Sequence, residues 1–156
     1  MKKIILLDID HTISDAFHRD PMIGVTPWDN YHAASINDLP AKDFVEFISN
    51  FYGKDYRLIG LTSRPEKFRD LTIKWLCRHD IYLEDLWMRP DADYRTAAAV
   101  KIDLCAKKLG ESWRERILCL IDDNDRVIEA FRGERITCMQ IFNKRGEHNH
   151  DAARTI

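Results

Sequence analysis

The sequence predicts an α/β fold in which a doubly wound, mostly parallel five-stranded sheet carries helices on both faces. Short apolar runs alternate along the chain with amphipathic helical stretches, which is the pattern of βαβ units. These runs are continuously apolar, as expected of strands that are buried on both faces. Right-handed crossovers between parallel strands then place the helices on both sides of the sheet. The length of 156 residues suits one compact domain.

Five segments have the apolar character of strands in this sheet. In chain order they are residues 3–9, 57–61, 86–88, 117–121 and 137–142. Helical spacing of apolar residues predicts helices between them. The predicted helices cover residues 40–51, the stretch from Pro65 through Trp75, residues 94–109 and residues 125–132. Gly53, Gly110 and Gly133 follow three of these helices and fit their ends.

Residues 14–39 show no helical or strand period, and an aperiodic stretch of this length in a compact domain is usually functional or disordered. Its aromatic residues and prolines favour an ordered flap. The sequence thus predicts one domain over residues 1–142, with a short flap at about residues 13–39 and no large cap domain. The polar tail, residues 143–156, carries His148 and His150 and is expected to fray.

Composition excludes several classes of protein. The formal net charge of −2 provides no global basic field for nonspecific nucleic-acid binding. No apolar run approaches the roughly 20 residues that span a bilayer. The apolar start stops at Asp8, too early for a signal peptide. The four cysteines form no CxxC pair and are expected to be reduced core thiols of a cytoplasmic protein, with no membrane partner and no obligate protein partner.

Oxygen-bearing side chains follow the first buried strand. Asp8 ends this strand, and Asp10 lies just beyond it. Ligand chemistry in parallel sheets gathers at the carboxyl ends of the strands. One carboxylate can attack a substrate while the other transfers protons, if a cation reduces their repulsion. The alternative interpretation is a strand followed by an Asx-type turn.

Two further strand ends repeat this pattern. Thr62 and Ser63 follow a buried strand directly before a predicted helix, and hydroxyl and backbone N–H groups at such a point form a phosphate site or a plain helix cap. Asp122 and Asp123 follow another strand and offer the hard oxygen ligands that magnesium prefers, or cap a helix. Lys101, on a predicted helix, pairs with buried carboxylates or extends its stem along the core. A doubly wound sheet brings such strand ends together, so their combination predicts one site.

In this order the motifs resemble the haloacid dehalogenase-like hydrolases: Asp-x-Asp-x-Thr at residues 8–12, then strand–Thr/Ser, then Lys, then strand–Asp-Asp. Receiver domains use similar residues, but their acidic pair comes first. Local features extend the resemblance to the 3′-phosphatase domain of phage polynucleotide kinase/phosphatase over roughly residues 4–142. They include the stretches Leu-Thr-Ser-Arg-Pro-Glu at residues 61–66, Trp-Met-Arg at 87–89 and Val-Lys at 100–101. One departure is His11, where these phosphatases usually have Gly.

The resemblance implies a HAD-type, Rossmann-like phosphatase domain that uses Mg²⁺ and an aspartyl-phosphate intermediate. It implies Asp8 as the nucleophile and Asp10 as the general acid and base, oriented by Thr12. The remaining implied catalytic residues are Thr62 and Lys101. The implied substrate-binding residues are His11, Thr12, Ser63 and Arg64. The implied metal ligands are Asp8, the backbone carbonyl of Asp10, Asp122 and Asp123. Additional substrate contacts are expected from Arg69, Arg89 or Arg95 and, by stacking on a base, from His18, Trp28 or Tyr31.

Several functions remain open at this point. The expected substrate is a 3′-phosphate on a DNA or RNA end, because a site without a large cap suits a polymer end. The alternatives are a 5′-nucleotidase or small-metabolite phosphatase, a phosphomutase, and a noncatalytic phospho-acceptor or binding module. The sequence does not decide between a nucleic-acid end and a nucleotide.

Overall fold

The strand at the centre of the sheet is apolar on both faces. In the computed structural model, which describes residues 2–51, 53 and 55–142, β1 (Lys3–Leu7) is buried from Ile4 to Leu7. It pairs in parallel with β4 (Tyr56–Pro65) on one side and β6 (Ile117–Asp122) on the other. The whole sheet is parallel, and with β5 (Asp85–Arg89) and β7 (Cys138–Gln140) at its edges the strand order is β5-β4-β1-β6-β7. The predicted α/β fold with a doubly wound five-stranded sheet is therefore confirmed.

The other strands of this sheet lie where the apolar runs predict them, with small shifts in their bounds. They are β4 (Tyr56–Pro65), β5 (Asp85–Arg89), β6 (Ile117–Asp122) and β7 (Cys138–Gln140). The largest difference is at β4, which continues through Pro65 instead of giving way to a helix there. Its pairing with β5 shifts at this end, since Thr62 pairs with Met88 whereas Pro65 pairs with Arg89.

Helices cover both faces of the sheet. The described helices are α1 (Trp28–Ala33), α2 (Lys42–Ser49), α3 (Arg69–Arg78), α4 (Ala97–Leu109), α5 (Trp113–Arg116) and α6 (Asp125–Gly133). The core on one face joins α4, α5 and α6 to β1, whereas the opposite core includes Ile48 of α2 and Trp75 of α3. Thr96 caps α4 by accepting a hydrogen bond from the backbone N–H of Ala99, and Gly110 ends this helix with φ of 78°. The predicted start of this helix at residue 94 is three residues early.

The aperiodic stretch after β1 is an ordered flap. It contains an antiparallel pair of two-residue strands, β2 (Ser14–Asp15) and β3 (Leu39–Pro40), with α1 and two 3₁₀ turns between them. The indole N–H of Trp75 donates a hydrogen bond to the backbone carbonyl of Asp38 at 2.8 Å and so fixes the flap to α3. No large cap is present among the described residues, as predicted.

None of the described helices is long and apolar enough to cross a membrane. All four cysteines are free, and Cys105 and Cys119 are buried, but Cys138 is only partly buried and Cys77 is exposed, so the prediction of core thiols is wrong for Cys77. The predicted tail at residues 143–156, with His148 and His150, lies outside the described residues.

Candidate active site

The carboxyl ends of β1, β4 and β6 meet at one edge of the sheet, because β1 lies between the other two strands. Asp8 follows β1, Thr62 lies near the end of β4, and Asp122 ends β6. All three line a cavity with a free volume of about 80 Å³. The cavity is also lined by Asp10, His11, Trp28, Tyr31, His32, Ser63, Ala97, Asp123 and Asn124. Side chains that are distant in the sequence thus converge at the switch point of the sheet, as we expected.

Lys101 joins two of the carboxylates in this cavity. It projects from α4, and its ammonium donates hydrogen bonds to Asp8 Oδ1 and to Asp122 Oδ2, both at 2.6 Å. The lysine is only 2% exposed. A buried charge of this kind requires partners of opposite charge, because water cannot stabilise it. The two carboxylates raise the pKa of Lys101 although burial opposes them, so its positive charge is firmly retained.

The acidic side of the cavity carries more negative charge than Lys101 can balance. Burial raises the pKa of Asp8 to about 7, since the opposing effect of Lys101 is smaller and Asp122 adds to the increase. Burial and the nearby Asp8 also raise the pKa of Asp123 well above its usual range. Asp8, Asp122 and Asp123 each offer a ligand atom within 4.8 Å of the others. A trio of hard oxygen donors with surplus negative charge fits Mg²⁺.

Asp10 has a different electrostatic environment from Asp8. Arg64 donates to it from Nε at 3.1 Å and from Nη2 at 2.5 Å, and Arg19 forms a second salt bridge to the same carboxylate. Burial alone would raise the pKa of Asp10, but the two guanidinium groups outweigh it and hold that pKa well below its usual range. The carboxylate is therefore tied to arginines, and any contribution of Asp10 to a metal site would come from its backbone carbonyl.

A second carboxylate, Asp38, completes this cluster beneath the flap. Arg19 donates to Asp38 from Nε at 2.8 Å and from Nη2 at 2.6 Å, and Arg64 Nη2 lies 3.4 Å away. His18 Nε2 lies 2.8 Å from Oδ1 of the same carboxylate, the oxygen that also accepts from Arg19 Nε. The side chains of Arg19, Arg64 and Asp38 are completely buried. We call Asp10, Arg19, Asp38 and Arg64 the arginine–carboxylate cluster.

Sequence reasoning missed Arg19 and Asp38. Both lie in the aperiodic flap, and their side-chain contacts in the cluster join residues 9 to 26 positions apart along the chain. No local period or motif marks such a pair. The only available signal was Arg64 itself, a charged residue directly after a buried strand, which requires a buried partner.

Two predicted site residues have contacts other than the expected ones. Arg64, which we expected to bind substrate phosphate, is fully buried and bonded within the cluster and to Thr72 Oγ1. Thr12, which we expected to orient Asp10, donates its hydroxyl to Asp8 Oδ2 at 3.1 Å. This difference follows from the turn after β1, which folds the backbone of residues 12–14 onto the carbonyl of Ile9 and returns Thr12 toward Asp8.

His11 lies at the cavity wall in a conformation that explains why glycine is usual at this position. Its φ is 61°, in the left-handed region that glycine adopts without a steric penalty. The imidazole Nε2 lies 3.0 Å from Asp20 Oδ1, and the ring packs edge-on against Phe17. His11 therefore ties the turn after β1 to the first part of the flap. Ser63 also lines the cavity.

The other expected substrate contacts are mostly engaged within the protein. Arg69 bonds to Glu66 and to the carbonyl of Leu86. Arg89 donates to three backbone carbonyls and Arg95 to two carboxylates. Among the aromatic candidates, Tyr31 is buried beneath the guanidinium of Arg19 and His18 contacts Asp38. Trp28 lines the cavity and remains placed to meet a ligand.

Comparison with known protein families identifies the family of this chain. The model of the phosphatase domain of polynucleotide kinase, PNKP, matches residues 2–145. The chain belongs to that family. It is a phosphatase of the haloacid dehalogenase-like type, which confirms the resemblance stated from the motifs and the assignment as an enzyme. The roles of individual side chains in this phosphatase remain predictions.

Solved structures show the same fold. In the Pnkp1/Rnl/Hen1 RNA repair complex, a chain with 24% identity matches 90% of this phosphatase with a TM-score of 0.76. The phosphatase spans only 42% of the length of that chain. A predicted phosphatase from Clostridium acetobutylicum matches 99% of the chain at 10% identity, with 91% of its own length covered and a TM-score of 0.68. The class C acid phosphatase from Bacillus anthracis matches 94% at 17% identity, with 69% covered and a TM-score of 0.58. No curated protein sequence matches the chain.

Proposed function

We propose that this phosphatase is a Mg²⁺-dependent phosphomonoesterase that removes 3′-phosphates from nucleic-acid ends through an aspartyl-phosphate intermediate. The observation that carries the proposal is the setting of Asp8. Its carboxylate faces the cavity and is bonded to Lys101 on one oxygen and to Thr12 on the other. Asp10 and Thr62 line the same cavity. A carboxylate fixed in this way has one orientation in which it can approach a phosphorus atom.

In the first step Asp8 attacks the phosphorus atom, and the bond from phosphorus to the leaving oxygen breaks. Asp10 donates a proton to that oxygen, so the product leaves as a neutral alcohol. The same carboxylate then takes a proton from a water molecule, which attacks the phosphorus atom and releases inorganic phosphate and free Asp8. Thr62 and Ser63 bind the phosphoryl oxygens. Lys101 stabilises the negative charge that is shared by Asp8 and the phosphoryl group.

The arginine–carboxylate cluster sets the protonation state of Asp10. Because Arg19 and Arg64 favour its ionised form, the resting enzyme is prepared for the base role in the second step. The acid role requires a proton on Asp10 while the phosphate dianion is bound. The anionic substrate raises the pKa of Asp10 when it binds, because a nearby negative charge favours protonation of a carboxylate.

Asp8, Asp122, Asp123 and the backbone carbonyl of Asp10 would hold the Mg²⁺ ion. When bound, the ion neutralises the charge on the phosphoryl oxygens and on the carboxylates around them. The closely spaced carboxylates and the raised pKa values of Asp8 and Asp123 support this assignment. We propose Asp122 as the stronger protein ligand because it is fully buried at the end of β6.

The size of the cavity supports a substrate whose body remains outside it. A free volume of about 80 Å³ is well below the roughly 300–1,000 Å³ of pockets that enclose whole small molecules. A phosphoryl group enters, and the rest of the substrate extends over the rim. Membership of the polynucleotide kinase phosphatase family and the likeness to a chain of an RNA repair complex favour a nucleic-acid 3′ end. The free cysteines suit the reducing cytoplasm as its place of action.

A substrate panel tests this proposal. We expect a 3′-phosphorylated oligonucleotide to be hydrolysed with a higher kcat/KM than the matching 5′-phosphorylated oligonucleotide, nucleoside 5′-monophosphates or a generic aryl phosphate. Removal of Mg²⁺ by EDTA should abolish turnover, and added Mg²⁺ should restore it. Asp8→Asn should be inactive with an unchanged circular dichroism spectrum. Preference for nucleoside 5′-monophosphates would instead favour a nucleotidase, and full activity of Asp8→Asn would reject the mechanism.

The leaving group separates the two roles of Asp10. The aryloxide of an aryl phosphate leaves without protonation, whereas a 3′-alkoxide needs a proton to leave. Asp10→Ala should therefore release about one equivalent of phenol per enzyme from the aryl phosphate and then stop, because the second step still lacks its base. With the 3′-phosphorylated end even the first turnover should be slow. Equal losses on both substrates in the first turnover would contradict the acid role.

A further inference from the structure

A second cavity adjoins the catalytic one at the carboxyl ends of β4 and β5. It has a free volume of about 170 Å³. Trp28 and His32 of α1 line both cavities, so the two spaces share a wall. The second cavity therefore lies beside the site where a phosphoryl group would meet Asp8, which makes it a candidate for the body of the substrate.

The lining of this cavity combines aromatic rings with few exposed cations. Tyr94 lines it and is 86% exposed, so its ring is accessible to a ligand. Trp28 contributes a second ring, and Pro65 and Pro90 add flat apolar surface. Such rings provide stacking surfaces for planar groups.

The cations around the cavity are engaged by partners within the protein. Three carboxylates line it, Asp29, Asp91 and Asp93, against two cations, Lys67 and Arg89. The ammonium of Lys67 donates to Asp29 at 2.6 Å, and Arg89 donates to the backbone carbonyls of the surrounding loop. Arg95 donates to Asp93, so three cations balance the three carboxylates. A phosphodiester would have to compete with these partners for a cation, whereas a neutral ring that carries amino groups would meet hydrogen-bond acceptors.

The loop that presents Tyr94 is fixed before any ligand arrives. Arg89 Nη1 donates to the carbonyls of Asp93 at 2.8 Å and Arg95 at 2.7 Å, which lie on either side of Tyr94. Arg95 in turn bonds to Asp93 and to Asp103 of α4. An exposed ring on a fixed loop loses little conformational freedom on binding, which is the property of a preorganised contact.

We infer that this cavity receives the nucleobase of the substrate's terminal nucleotide, with Tyr94 as a stacking residue and Trp28 as the wall shared with the phosphate site. The inference rests on the proposed function, since it concerns the nucleotide that carries the 3′-phosphate. It predicts that the enzyme binds the terminal base as well as the phosphoryl group, so that kcat/KM depends on whether the base is present.

The test is a comparison of two substrates and four proteins. The substrates are 3′-phosphorylated oligonucleotides that end either in a normal nucleotide or in an abasic deoxyribose. The proteins are the wild type, Tyr94→Ala, Tyr94→Phe and the control Tyr82→Ala. Tyr82 is also a largely exposed tyrosine but lines neither cavity. For the wild type we expect the missing base to lower kcat/KM roughly 5- to 30-fold, as one stacking contact would.

Tyr94→Ala should lower kcat/KM for the normal end by a similar factor and change that for the abasic end less than twofold. Tyr94→Phe should retain the preference for the base, and Tyr82→Ala should behave as the wild type. If the wild type hydrolyses both ends equally well, or if Tyr94→Ala lowers both equally, the base site is wrong while the proposed function stands. If the wild type hydrolyses aryl phosphate but neither 3′ end, the proposed function fails, and the base site fails with it.

Discussion

Replacement of Asp38 by asparagine tests how far the arginine–carboxylate cluster stabilises the fold. The change removes one negative charge and keeps the shape of the side chain. Asp38 accepts bonds from Arg19 at 2.6 and 2.8 Å, and its side chain is completely buried. After the substitution Arg19 and Arg64 would share Asp10 as their only carboxylate within the cluster, and an amide N–H₂ group would face guanidinium donors.

The expected cost can be bounded from the contacts. Loss of one partner from a buried ion pair costs about 3–5 kcal/mol, because an uncompensated charge is left in the interior. The exposed pair of Arg114 and Glu134 is the matched control, with side chains that are 48% and 31% exposed. Surface pairs contribute about 0–1 kcal/mol. Glu134→Gln should therefore cost far less than Asp38→Asn.

Urea denaturation followed by circular dichroism measures both variants. With a slope of about 2 kcal/mol per molar urea, Asp38→Asn should lower the midpoint by roughly 2 M. Glu134→Gln should lower it by less than about 0.5 M. If Asp38→Asn loses no more free energy of unfolding than Glu134→Gln, the cluster does not stabilise the flap and the electrostatic reasoning is refuted.

Three further predictions concern acid stability, thiol reactivity and strand packing. Because the pKa of Asp10 is held well below its usual range, its stabilising contribution is present above the unfolded value near 3.9 and is lost as the pH falls further. The difference in unfolding free energy between wild type and Asp10→Asn should be constant above about pH 5 and shrink below pH 4, and a difference that grows on acidification would contradict this sign. Burial raises the pKa of Cys105 to about 12, so iodoacetamide at pH 8 should modify the exposed Cys77 first. Peptide mass spectrometry measures the labelling of each cysteine. Comparable labelling of Cys105 in the native protein would place it outside the core. Gly60→Ala should lower the free energy of unfolding by about 1 kcal/mol or more in the same urea assay, because a Cβ there would lie 2.7 Å from Leu86 Cδ1. An unchanged urea midpoint would show that this leucine side chain moves freely.

The sequence predicted those parts of the structure that depend on local patterns. Apolar segments located the strands of the main sheet, three of them as continuous runs, and the polar residues at strand ends indicated Asp8, Thr62 and Asp122. The parallel topology then implied that these side chains meet. The same reasoning applied to Lys101, because a lysine beside apolar residues on a helix needs a buried partner if it faces the core.

The flap could not be predicted in this way. Its six-residue helix, two short strands and 3₁₀ turns carry no periodic signal, and they are fixed by long-range contacts such as that of Trp75 with the carbonyl of Asp38. The direction of Arg64 was also beyond local reasoning, because it depends on two carboxylates that lie 54 and 26 positions earlier. Likewise, the bond from Thr12 to Asp8 depends on the tight turn after β1, which residue types alone do not specify.

The change of register at the end of β4 separates two side chains that a regular strand would present together. Residues two apart on an unbroken strand share a face, so Thr62 and Arg64 would both enter the catalytic cavity. Three steps along β4 correspond here to one step along β5, and Thr62 lines the cavity while Arg64 lies buried under the flap. Deletion of Ser63 would shorten this segment and place the arginine directly after Thr62, out of register with the carboxylates of Asp10 and Asp38 that it now contacts. The length of this short segment is therefore as important to the enzyme as the identity of the residues in it.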